Sequence, residues 1–69
     1  MSEWYKNEQT GAEVHLGSSG SGYYVEARYP GHPLPLRKTY EWFQQAVAMR
    51  DFELLRAAVG AVQDLRRSA

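Results

Sequence analysis

Serine hydroxyls and imidazoles are the side chains of this chain that could form a nucleophile and its base. The candidate nucleophiles are Ser18, Ser19 and Ser21, and the candidate bases are His15 and His32. Nucleophilic catalysis requires a base held against the nucleophile and a third group that orients the base. These serines lie in a run of glycine and serine that is too flexible to hold such an angle, and the sequence contains no Gly-x-Ser-x-Gly elbow. We therefore expect no catalytic residues and no enzymatic activity.

Metal binding could use Glu13, His15 and Glu26, whose side chains are predicted to share one face of a hairpin. Alternate residues of a strand point to the same side. One imidazole and two carboxylates, without cysteine, make a weak ligand set, so solvated cross-strand polar residues are the favoured interpretation. The glycines between positions 17 and 22 precede a predicted strand, whereas a phosphate-binding loop precedes a helix. We expect neither a metal nor a cofactor.

Basic side chains that could contact phosphates are concentrated in the second half of the chain. Residues 1–35 carry two basic and four acidic side chains, and residues 36–69 carry six basic and four acidic ones. The net charge is zero, which lacks the basic excess typical of phosphate neutralisation. Some DNA-binding domains have a similar order of strands and helices, but element order alone carries no function. Nucleic-acid binding is the alternative function, through Arg37, Lys38, Arg66 and Arg67.

Aromatic residues are dense, with two Trp, five Tyr and two Phe in 69 residues. A small core cannot hold all of them, and Tyr, Trp and Arg dominate binding hot spots between proteins. The outward positions of the predicted sheet combine such residues, so the outer sheet face is the predicted surface for a larger protein partner. Its members are Tyr24, Glu26, Arg28, Glu13 and His15. The competing interpretation is that these rings cover the edges of a thin core, which we favour for Trp4 and Trp42.

The elements that position these residues follow from the hydrophobic pattern. Alternation predicts three short strands, at residues 4–7, 12–16 and 23–29, of which Tyr23–Tyr29 is the clearest. Short connections favour an antiparallel meander. Glu13, His15 and the even-numbered residues from Tyr24 to Arg28 then face outward, while Val14 and Leu16 face inward. The sheet is expected over residues 3–29.

A proline-rich connection at residues 30–38 separates this sheet from two helices expected over residues 39–67. Thr39 is the predicted N-cap of the first helix. The apolar stripe of Phe43 and Val47 shifts by about one residue, or roughly 100° of helix, at Arg50–Asp51. A break there is favoured over one unbroken helix. The predicted fold is α+β, a three-stranded antiparallel meander followed by two C-terminal helices.

Two segments allow more than one interpretation. The run Gly17–Gly22 is either a natural mobile hairpin loop, which we favour, or an engineered linker. Gly60 is expected inside the second helix, where with Ala57 it forms a smooth patch. One explanation of that patch is close packing against the first helix, and the alternative is a homodimer contact through it.

The length sets the remaining expectations. Residues 1–69 make a single small domain, whose core is thin and whose stability a partner or a homodimer would support. The sequence contains no membrane-length apolar run and no signal-peptide pattern, so a cytoplasmic protein is expected. The predicted function is a non-enzymatic protein-interaction module, of the kind found among small bacterial or phage accessory and regulatory proteins.

Overall fold

One antiparallel sheet and one helix make up the structure. The computed structural model describes residues 2–65. Its elements are β1 (Glu3–Lys6), β2 (Glu13–Ser19), β3 (Gly22–Arg28), β4 (Leu36–Glu41), a 3-10 turn (Trp42–Gln44), α1 (Gln45–Val59) and β5 (Gln63–Asp64). The strands lie in the order β4-β3-β2-β1-β5. The α+β class is confirmed, but five strands and one helix take the place of the predicted three strands and two helices.

The predicted meander is present as β1, β2 and β3. Val14 lies opposite Tyr5 on one side and Ala27 on the other, and Leu16 lies opposite Val25. These residues form the sheet face that packs against α1. Because side chains alternate along a strand, the residues between them point to the opposite face. The predicted inward and outward assignments are therefore confirmed for β2 and β3.

The core lies between this sheet face and α1. Its buried members are Val14, Leu16, Val25, Tyr40, Ala48, Phe52 and Ala61. Ala48 and Phe52 are four residues apart and lie on one side of the helix. Tyr5, Val47, Leu55 and Val59 pack around the cluster, half-buried. The helix thus buries one continuous stripe.

The prediction of a helix from residue 39 was wrong, because residues Leu36–Glu41 form β4. This strand pairs with β3, with Tyr40 opposite Tyr23 and Arg37 opposite Glu26. Its first four residues are exposed, so no alternation of buried and exposed residues marks it as a strand. The proline-rich connection is correspondingly shorter than predicted, ending before residue 36.

The predicted break at Arg50–Asp51 was also wrong, because α1 runs through both residues. The apparent stripe shift came from Phe43, which is 86% exposed and lies in the 3-10 turn rather than on the helix. The helix ends at Val59, and Gln63–Asp64 form β5 where the second helix was expected. Among residues 2–65, no helix is long and apolar enough to cross a membrane.

Gly60 ends the helix instead of lying inside it. Its φ of 73° is left-handed, a conformation that glycine adopts without strain, and the N–H of Ala61 bonds the Arg56 carbonyl at 3.0 Å. The Asn7 side chain also reaches this end of the helix. Its Nδ2 donates to the Val59 carbonyl at 3.0 Å, and its Oδ1 accepts from the backbone N–H groups of residues 9 and 10.

The run Gly17–Gly22 is not a mobile loop, because most of it belongs to β2 and β3. Only Gly20 and Ser21 form the turn between the two strands. Ser19 pairs with Gly22, which also pairs with Glu41 of β4. A Cβ atom at Gly22 would overlap the Tyr40 carbonyl oxygen, so the close approach of β4 requires glycine there.

Replacing Asn7 tests the link between the first turn and the helix. Asn7→Ala leaves the Val59 carbonyl and two turn N–H groups without their partner. We expect a loss of about 1–3 kcal/mol in the free energy of unfolding, measured by urea denaturation. Asn7→Asp keeps the turn acceptor, loses the donor to Val59 and should be intermediate. Gln9→Ala, at an exposed position of the same turn, should stay within about 0.5 kcal/mol, and an equal loss there would contradict the assignment.

Tyr40 joins β4 to the helix, since its hydroxyl donates to Asp51 Oδ2 at 2.7 Å. Burial and this hydrogen bond raise the pKa of Tyr40 to about 12. Because the folded-state pKa is raised, the resulting stabilisation is present below the ordinary pKa of 10.0 and is lost as the pH rises through about 12. Titration of tyrosinate absorbance should show a step near pH 12 that Tyr40→Phe removes and Tyr24→Phe keeps.

Candidate functional site

The sheet face opposite α1 is the candidate site, and we call it the open face. It consists of the residues that alternate with the core residues along β1 to β4: Trp4, Lys6, Glu13, His15, Gly17, Ser19, Gly22, Tyr24, Glu26, Arg28, Arg37, Thr39 and Glu41. All five predicted partner-binding residues lie together on it. The one helix of the described residues packs on the other side of the sheet.

A buried carboxylate lies in the middle of the open face. The Glu26 side chain is only 3% exposed, although the face is directed to solvent. Arg28 Nε donates to its Oε2 at 3.0 Å, and Arg37 Nε donates to its Oε1 at 3.1 Å. Burial by itself raises the pKa of the Glu26 carboxyl, but the two arginines outweigh burial and hold the pKa below its ordinary value of 4.5. The carboxylate is therefore charged at neutral pH and fixes two guanidinium groups.

The Tyr24 ring is held between a guanidinium and the sheet backbone. The Arg37 guanidinium carbon lies 4.1 Å from the ring centroid, a cation–π distance. Tyr24 pairs with Gly17, and a Cβ atom at Gly17 would lie 2.6 Å from the Tyr24 hydroxyl oxygen. Glycine at position 17 thus lets the ring lie flat across β2. Arg37 in turn links the ring to Glu26.

A second aromatic cluster lies at the β1 side of the open face. Trp4 Nε1 donates to Glu13 Oε1 at 2.7 Å. The Trp4 and His15 rings are stacked at a tilt, with centroids 4.5 Å apart, and His15 Nε2 lies 3.5 Å from the same Glu13 oxygen. Trp4 is nevertheless 40% exposed. Its indole is oriented by contacts within the protein and still presents apolar surface to solvent.

These clusters form one continuous row across four strands. In register, Trp4 lies opposite His15, His15 opposite Glu26, and Glu26 opposite Arg37. Sequence reasoning had assigned His15 and Glu26 to this surface but had missed Trp4 and Arg37. The signal for Trp4 was its alternation with Tyr5 along β1. Arg37 carried no such signal, because β4 itself was not predicted.

Two of the basic residues proposed for nucleic-acid binding, Arg37 and Lys38, point to opposite sides of the sheet. Arg37 lies on the open face and bonds Glu26, whereas its neighbour Lys38 points to the helix side, with Nζ 3.7 Å from Asp51 Oδ2. Arg66 and Arg67 lie outside the described residues. Of the predicted dimer contact, Ala57 is exposed on α1 and Gly60 is the helix C-cap, and a contact through them stays a prediction.

The residues considered for metal binding are engaged with other groups. Glu26 bonds two arginines, and Glu13 accepts from the Trp4 indole. Within residues 2–65, no group of three or more His, Cys, Asp or Glu side chains is placed to hold a metal ion. Ser19 and Ser21 lie beside each other at the β2–β3 turn, with their hydroxyl oxygens 3.5 Å apart. The groups that the open face presents to solvent are aromatic rings and guanidinium groups.

Removing the Glu26 charge tests this arrangement. Glu26→Gln should lower the free energy of unfolding at neutral pH by about 1.5–3 kcal/mol, because charge-assisted bonds to a buried group are lost. The depressed folded-state pKa means that the stabilisation is present above the ordinary value of 4.5 and is lost as the pH falls below it. Urea denaturation should then show the two proteins converging in acid. Glu53→Gln, at a carboxylate 59% exposed, should change little at any pH, and a constant gap for Glu26→Gln would contradict the assignment.

Comparison with known proteins adds no further assignment. The sequence matches no protein-family model, and no curated protein or solved structure is significantly similar to it.

Proposed function

We propose that this protein is a non-enzymatic interaction module whose open face binds a larger protein partner. The observation that carries the proposal is the fixed contact of Arg37 with both Tyr24 and the buried Glu26 carboxylate. This contact holds an aromatic ring and a guanidinium group in a defined arrangement on a surface directed to solvent. Trp4, oriented by Glu13 and His15, extends the same surface.

The composition of the open face matches that of binding hot spots. Trp, Tyr and Arg are enriched among residues whose truncation weakens protein complexes most. Binding normally requires mobile side chains to be ordered, which costs about 0.5–1.5 kcal/mol for each rotamer-rich side chain. On this face much of that ordering is present before binding, because Arg28 and Arg37 are bonded to Glu26 and the Trp4 indole is bonded to Glu13.

The two arginines also retain capacity for a partner. Both reach Glu26 through Nε, while the Arg28 and Arg37 side chains are 57% and 48% exposed. Their outer nitrogens are donors that carboxylates and backbone carbonyls can accept from. The partner surface that fits best therefore has apolar groups to cover Trp4 and Tyr24, with carboxylate or carbonyl oxygens between them.

Nucleic acid is a poorer match for the same surface. The open face carries Lys6, Arg28 and Arg37 against Glu13, Glu26 and Glu41, so its charges cancel. Glu13 would repel phosphates, and the two arginines already share their charge with Glu26. Phosphate recognition is expected from clusters of basic groups on one side of a protein. A cytoplasmic accessory or regulatory role completes the proposal, and the absence of cysteine is compatible with it.

The proposal is tested by capturing partners from lysate of the native organism, with and without nuclease, and then measuring the purified partner by calorimetry. The double variant Tyr24→Ala with Arg28→Ala should weaken binding by about 30-fold or more, equivalent to about 2 kcal/mol. Circular dichroism checks that the fold is retained.

The matched control is Arg50→Ala with Leu54→Ala, which removes an arginine 67% exposed and an apolar side chain 64% exposed from the helix. It should change affinity by less than about threefold, as expected for residues outside an interface. Capture that disappears after nuclease treatment would contradict the proposal and favour the nucleic-acid alternative. Equal affinity of both double variants would contradict the placement on the open face.

A further inference from the structure

Strand β4 is a sheet edge whose second side is unpaired within the described residues. It bonds β3 on one side, and the sheet order places it at the end. An edge strand exposes a row of backbone N–H and C=O groups that another strand can pair with. Large apolar side chains flank this edge: Leu34 and Leu36 are 78% and 66% exposed at its start, and Trp42 and Phe43 are 51% and 86% exposed after its end.

We propose that β4 pairs antiparallel with β4 of a second copy of this chain, around a two-fold axis that passes through Thr39. The two sheets then join into one, with both helices on the same side. Such a contact is isologous, so it closes with two copies and does not propagate. The proposal does not rest on the open-face function, because backbone pairing along the edge carries it, although Arg37 and Thr39 belong to both surfaces.

The sequence of β4 is complementary to itself in this register. With Thr39 opposite Thr39, each Arg37 lies opposite the partner's Glu41, which forms two reciprocal pairs of opposite charge on the open-face side. Opposite charges directly across two strands are stabilising. On the helix side each Lys38 lies opposite the partner's Tyr40, and each Leu36 lies at the end of the partner's strand, next to Trp42 in the 3-10 turn. Apolar residues from one end of the edge thus meet those from the other end.

Neighbouring registers lack this complementarity. A shift of one residue would place each inward-facing residue opposite an outward-facing one, which a regular antiparallel pair does not allow because opposite residues share a face. Centring the axis on Lys38 would place two lysines directly opposite each other, which is destabilising. Centring it on Tyr40 would leave Arg37 opposite Phe43 and lose the pairs with Glu41. Lysine on an edge often prevents strand addition, and the Thr39 register accommodates Lys38 by placing an aromatic ring across from it.

The helix-side surface next to β4 gives the contact apolar area to bury. A cavity of about 370 Å³ lies between β4 and α1, lined by Val25, Leu36, Tyr40 and Leu55 among others. The helix leaves this strip open because it packs mainly on β2 and β3. A second copy at the edge would cover part of it with its own Leu36 and Trp42. Residues 36–43 therefore supply backbone pairing, charge pairs and apolar contact in one segment.

The register is tested by a single cysteine in a chain that has none. Opposite residues of an antiparallel pair have Cα atoms about 4.5–5.5 Å apart, which is within disulfide range. Thr39→Cys in a glutathione redox buffer should give a covalent dimer on non-reducing gels. Ser21→Cys, at the exposed β2–β3 turn, is the matched control and should stay mostly uncross-linked.

A charge test in solution complements the cross-link. Sedimentation equilibrium should show a concentration-dependent dimer of the unmodified chain. Thr39→Glu and Thr39→Lys should each weaken self-association by about tenfold or more, because like charges meet on the axis. An equimolar mixture of the two variants should restore it. A monomer at every concentration would overturn the proposal, and so would a dimer that neither forms the Thr39→Cys cross-link nor responds to these charges.

Discussion

A single helix of 15 residues has to cover a five-stranded sheet. At 1.5 Å per residue such a helix is about 22 Å long, and it is only as wide as about two strands. It buries Val14, Leu16 and Val25 in the centre of the sheet and reaches β4 mainly at Tyr40, and within residues 2–65 no second layer covers the rest of β4 or the opposite face. The small size of the helix relative to the sheet determines much of the remaining structure, because the sheet surfaces that the helix does not cover must be stable in water by other means.

On the open face, a layer of rings and ion pairs takes the place of a second hydrophobic layer. Tyr24 lies over the backbone at Gly17, and Trp4 lies against His15, so that aromatic carbon covers sheet surface. Glu26 is buried beneath this layer. Its carboxyl group is ionised because two arginines bond it and lower its pKa. The same contacts that protect the sheet also fix Arg37 and Trp4 in place. The stability of the fold and the proposed recognition therefore share one physical basis, and a substitution at Glu26 is expected to affect both.

The sequence predicted the parts of the fold where burial alternates. The pattern from Tyr23 to Tyr29 identified β3, and it correctly directed Tyr24, Glu26 and Arg28 to one face with Glu13 and His15. The pattern failed at β4, where the first four residues are exposed, and at Phe43, whose apolar side chain is exposed in the 3-10 turn. Both failures have one cause: none of the described elements covers these residues, so their hydrophobicity does not indicate whether they are buried.

The Asn7 side chain links the first turn of the fold to Val59, the last residue of α1. The side chain that organises the β1–β2 turn finds its second partner at the Val59 carbonyl, 52 residues away. A ribosome makes about 5–20 residues each second and releases the N-terminus first. The first turn therefore emerges several seconds before the helix end that completes its hydrogen bonds. During synthesis the first turn therefore has to wait for 52 further residues before its Asn7 side chain can complete its hydrogen bonds.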